Sequence, residues 1–126
     1  MMSPEMHQLL QSFEDIGEPL CQRLSDYLCE LGVDRRSLPR IAMQGLSYNE
    51  QRDPYSGEVS LQGEWRTSSG QLCGSLSFRS DGSLYVEHDV LLPHPTDQRW
   101  IIESITAWGT PDKLKLEPRL MAALED

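Results

Sequence analysis

Glu87-His88-Asp89 is the one triplet in this chain that sets a histidine between two carboxylates. An imidazole oriented by a carboxylate can pass a proton near neutral pH, which is the basis of acid-base and nucleophilic catalysis. The three side chains can cooperate only if they share a side. From Glu58 to Val90 polar and apolar residues alternate within each segment: Val59, Leu61, Trp65, Leu72, Leu76, Phe78, Leu84, Val86 and Val90 point one way, and Glu58, Gln62, Glu64, Arg66, Gln71, Arg79, Glu87 and Asp89 the other. Successive side chains of a strand point to opposite faces, so the pattern predicts an antiparallel sheet with one dry and one wet surface. His88 has the dry parity and its neighbours the wet one. The triplet is therefore split between the two faces, and no catalytic residue is assigned.

A histidine on an apolar face is ordinarily a packed core or rim residue. A ligand site is the alternative here, because of two glycines. If Trp65 lies opposite Leu72 in one hairpin and Gly74 opposite His88 in the next, then Gly63, Gly74 and His88 form a row across the sheet. Two missing side chains beside an imidazole leave room either for a small pocket, with Trp65 at its edge, or for packing by Phe13, Leu24 or Tyr27. His88 and His94 could hold a metal only with a third donor such as His7 or Asp97, and their spacing matches no ligand signature. No metal and no cofactor is expected. Cys21, Cys29 and Cys73 are odd in number and lack a CxxC pair, so they read as free thiols. Cys73 has the wet parity, away from His88, and makes no nucleophile pair. GxSxG, P-loop, GxGxxG and HExxH motifs do not occur.

The elements that position these residues follow from spacing. Leu9, Phe13, Ile16, Leu20, Leu24, Leu28 and Leu31 recur at steps of three and four, the stripe of an amphipathic helix with Ser3 as cap and Pro4 in its first turn. Gly17 and Pro19 interrupt it without breaking its phase, which predicts a kinked helix that stops at Gly32. A first strand is expected through Ile41 and Met43, shifting phase near Gly45, and then a turn or loop over residues 49–57. Strands at about 58–67 and 71–79 are joined at Ser68-Ser69-Gly70. At Ser80-Asp81-Gly82 a two-residue loop would set Leu76 opposite Glu87 and bury a charge. A three-residue loop with Gly82 left-handed sets Phe78 opposite Leu84, Leu76 opposite Val86 and Leu72 opposite Val90, and is preferred. Pro93 and Pro95 end the strand. Residues 100–108 are apolar on both faces, as in a central or doubly covered strand. Residues 113–117 alternate like a strand, and a short helix is expected over Pro118–Glu125.

A chain of 126 residues forms a single domain, since a core of this size removes roughly two-thirds of the unfolded surface from water. The predicted fold class is α+β in two layers: a kinked N-terminal helix on an antiparallel sheet of about five strands, closed by a short C-terminal helix. The formal charge is −9. Residues 1–31 hold six acids against one base, while 32–56 hold three against four. Nucleic acid and anionic membrane are bound mainly through Lys and Arg, so neither is an expected partner. The beginning of the chain lacks a basic, uninterrupted apolar run, and a cytoplasmic location is expected. In size and acidity the chain resembles the type III secretion chaperones, whose pattern inserts a helix between strands where this chain runs strands without interruption. That resemblance implies a protein partner. The functional expectation is a non-catalytic interaction module, an adaptor, inhibitor or chaperone, which takes a basic or partly unfolded protein on its acidic helix or a sheet edge, as monomer or homodimer. The alternative is a small-ligand binder or minor enzyme using a pocket beside His88. Trp65, Trp100 and Trp108 are expected in the core, or, if one is exposed, in an interaction patch.

Overall fold

Ser3 opens α1 (Pro4–Glu30), the only long helix among the described residues, by accepting the Met6 amide on its hydroxyl at 3.1 Å. The structure, a computed structural model, describes residues 3–123. Gly32, at a φ of +108°, closes the helix with its amide on the Cys29 carbonyl and the Val33 amide on the Leu28 carbonyl. These two bonds take up carbonyls that the helix end would leave bare. The helix is continuous through Pro19 because the stripe on either side stays in phase and is held from below: Leu9, Phe13, Leu20, Leu24 and Leu28 are all buried. Gly17 serves a close approach, since a methyl group there would lie 2.5 Å from Met43 Cε.

Six strands follow: β1 (Leu46–Arg52), β2 (Val59–Arg66), β3 (Leu72–Arg79), β4 (Leu84–Pro93), β5 (Trp100–Thr110) and β6 (Lys113–Ala122). Each pairs antiparallel with the next, so the sheet order is the chain order. The core lies between α1 and one face of this sheet, where Phe13 meets Tyr48 and Phe78 with ring centroids 6.0 and 5.5 Å away. Leu61, Val86, Ile102, Ile105 and Ala107 complete it from below. The expected alternation over β2 to β4 holds at every apolar position but Leu72, as does the three-residue loop: Phe78 faces Leu84 and Leu76 faces Val86.

Four expectations are corrected. Ile41 and Met43 do not form the first strand; Ile41 is buried in an irregular segment, a single 3-10 turn follows at Met43–Gly45, and β1 begins at Leu46. The apolar spacing there serves packing against the core rather than a ladder. Residues 49–52, expected in a loop, are paired to β2 although all four side chains are exposed, because the ladder is made by backbone groups and an edge strand does not need a buried face. The turn shrinks to residues 53–57, where the Asp53 carboxylate accepts the Tyr55 and Ser56 amides. No C-terminal helix forms among the described residues: Pro118 to Ala122 continue β6, Ala123 follows without regular structure, and residues 124 and 125 of the expected span lie outside the described residues. Proline breaks a helix and also a central strand, but at the sheet edge its missing N–H faces no neighbour. The sheet thus has six strands rather than five.

Residues 100–108 form an inner strand, paired on both sides, yet not one covered on both faces. An irregularity at Glu103 shifts the alternation, so that Ile102 and Ile105, three positions apart, are both buried toward α1. Ile101 and Trp108 are left on the other face. Replacing Phe13 by Ala should lower the unfolding free energy in urea by about 3–5 kcal/mol, the usual cost of a large aromatic cavity. A loss under about 1 kcal/mol would mean that the helix is not seated as described.

Candidate functional site

The row that left room for either a pocket or packing is filled, and by a different register. The β2–β3 ladder is irregular between Trp65 and Arg66, so Trp65 lies opposite Gly74, Gly63 opposite Leu76, and Arg66 opposite Leu72. Gly74 faces His88 as expected. The indole therefore occupies the space that Gly74 leaves, the large-against-small pairing a close-packed interior selects. Its ring stands 5.1 Å from the imidazole at 63°, and its Nε1–H donates to the Ala42 carbonyl at 3.0 Å. Gly63 is crowded from the other side, a methyl group there meeting Leu76 and Leu46 side chains at 3.1 and 3.3 Å. Leu72, expected opposite Val90 on the dry face, lies beyond the β3–β4 ladder and is 48% exposed.

His88 is buried, and its Nδ1 lies 2.8 Å from the Asp89 carbonyl. A carbonyl only accepts, so this nitrogen carries the proton. Burial pushes the imidazole pKa below its ordinary 6.5, against the smaller upward pull of the Asp89 carbonyl and carboxylate. The ring is thus neutral at pH 7 and works as a polar core residue between Trp65 and Gly74. Of the other groups, His94 Nδ1 accepts the Thr96 and Asp97 amides within its turn, and the Asp97 carboxyl is pulled down to about 2 by hydrogen bonds from Arg99. Among the described residues no three potential metal ligands cluster. Burial raises both the Cys21 thiol, to about 11, and the Cys73 thiol, which keeps them protonated.

The opposite face of the sheet carries what sequence parity had filed as a wet surface. No helix among the described residues covers it. Across β4, β5 and β6 its first row is Tyr85, Trp108 and Lys115, its next Glu87, Thr106 and Glu117. Tyr85 is 47% exposed, and an open groove of about 550 Å³ runs between it, Trp108, Thr106, Glu117, Pro118 and Arg119. A charged belt follows, in which Arg119 lies 3.8 Å from the Glu87 carboxylate and 3.6 Å from that of Glu103. At the far end Ile101 pairs with Met121, which is 39% exposed, and Leu91 projects from a bulge of β4 with 66% of its surface in water. Leu91 is the only non-glycine residue of positive φ among the described residues, at +46°. For a residue with a Cβ that conformation costs about 1–2 kcal/mol, which is why glycine usually takes it. Ser104, paired with Asp89 and Arg119 beside the same bulge, has a buried hydroxyl with no partner among the described residues.

The sequence signal for this face was slight: Tyr85 and Leu91 were apolar residues at polar parity, and Met121 stood in an expected helix. No family model, no curated protein and no solved structure matches the chain.

Two outcomes test the packed row. Because the folded-state pKa of His88 lies below the unfolded value, the unfolded chain binds the extra proton, so this contribution to stability is complete above about pH 6.5 and is lost as pH falls below it. Between pH 7 and pH 5 the melting temperature of wild type should therefore fall more steeply than that of His88→Gln. Equal slopes would show that the imidazole is not buried. Gly74→Ala should also destabilise, because the new methyl would lie 2.9 Å from the Glu87 backbone carbonyl, and its unfolding midpoint in urea should drop.

Proposed function

We propose that this protein is a non-catalytic interaction module that holds a basic segment of another protein on the uncovered face of β4, β5 and β6. The supporting observation is the open groove between exposed Tyr85 and half-buried Trp108 on the one sheet face that α1 does not protect. Aromatic side chains in open grooves desolvate cheaply and are enriched among residues that dominate binding energy. The net charge of −9 attracts cationic partners and repels anionic ones, which sets the sign of the partner. The face is a better candidate than either sheet edge. Pro118 withholds an N–H from the edge strand β6, and β1 presents Glu50 and Arg52, both devices that discourage strand addition.

This differs from a pocket beside His88, since that row is occupied by Trp65. It also differs from recognition by α1 alone, whose apolar stripe is already spent on the core. The test is isothermal titration of basic peptides selected from a displayed library against wild-type protein. Tyr85→Ala and Trp108→Ala should each weaken the selected peptides about tenfold or more. Affinity should also fall as salt rises from about 0.05 to about 0.5 M, where exposed charges are screened. Peptides that bind both variants as well as wild type would remove the face from consideration.

A further inference from the structure

We infer that the uncovered face is a two-point reader in which Leu91 is the second anchor, so that the bound segment is extended and runs apolar, basic, apolar. This rests on the interaction reading above and specifies its partner. Leu91 is held where its conformation costs the fold free energy and its side chain contributes little to the core, being 66% exposed at a φ of +46°. Asparagine would adopt that backbone more cheaply. Ser104 adds an independent cost at the same bulge, its hydroxyl sealed without a partner among the described residues. Local costs gathered at one exposed apolar point mark a residue kept for contact with something outside the chain.

The chemistry of the occupant follows from what lies between the two anchors. Tyr85 and Leu91 are six residues apart along β4, about 20 Å at the rise of a strand, so a segment of roughly seven extended residues reaches both. Glu87 and Glu103 lie in the interval and share one cation, Arg119, at 3.8 and 3.6 Å. Both distances exceed a good hydrogen bond, so these carboxylates keep acceptor capacity for an incoming guanidinium, which can dock on them in fork geometry. A neutral or acidic centre would leave them facing nothing or a like charge.

The experiment uses the full chain and three synthetic peptides of roughly nine residues, long enough to span the interval. One has Phe and Leu six positions apart with Arg midway, one has Glu in place of that Arg, and one has the two apolar residues adjacent. The first should bind, and the other two should bind at least about tenfold more weakly. Leu91→Asn should raise the melting temperature, because the backbone strain is relieved, and should weaken the first peptide about tenfold, a pair of signs that a purely structural residue does not give. Glu87→Gln with Glu103→Gln should abolish the preference for Arg over Glu. If the first peptide is weakened by Tyr85→Ala but not by Leu91→Asn, the two-point inference is overturned while the interaction module stands. If none of the peptides binds and the library selection also returns nothing, both fall. Should sedimentation show wild type as a dimer and Leu91→Asn as a monomer, the occupant is a second copy of this chain, and the inference is again overturned.

Discussion

One layer of packing carries the whole structure: the apolar stripe of α1 against a single face of the sheet. Phe13, Leu20, Leu24 and Leu28 have no other surface to bury against, and Leu61, Val86, Ile102 and Ile105 have no other cover. A two-layer domain necessarily leaves its sheet with a second face in water. Over β1 to β3 that face is polar, with Asn49, Gln62, Ser75 and Ser77 on it. Over β4 to β6 aromatic and aliphatic groups stand among charges instead.

Much of this was legible in the residues themselves. Periodicity located α1 and the faces of β2, β3 and β4, because burial on one side imposes a repeat on the residues that face the core. The loop at Ser80-Asp81-Gly82 could be settled by asking which register buries a carboxylate. What could not be read was whatever depends on a shift along the chain rather than on alternation. The β2–β3 ladder lies two residues away from the expected register, which keeps Gly63, Trp65 and Gly74 on the dry face and changes their partners. The row of Gly63, Gly74 and His88 was lost in that way, although each of its members points where parity said.

The same limitation hid the uncovered face. Glu103 shifts the phase of β5, so residues 100–108 looked apolar on two sides when Ile102 and Ile105 share one. Residues 113–117 read as a strand, but Pro118 made the second half of β6 look like the start of a helix, because composition does not say whether a strand will lie at an edge. Leu91 is a simpler case: its parity was polar and its type apolar, a mismatch that a single sequence records without explaining. Buried cores announce themselves by repetition, whereas a binding face is made of exceptions.

The strand order also has a kinetic consequence. Each strand pairs only with the next in the chain, so nearly all hydrogen-bonded partners are close in sequence and the sheet can be assembled one hairpin at a time. The docking of α1 is the sole event that spans distant parts of the molecule. During synthesis the helix emerges before the strands and must wait, its greasy side bare, until β2 and β3 arrive to receive it.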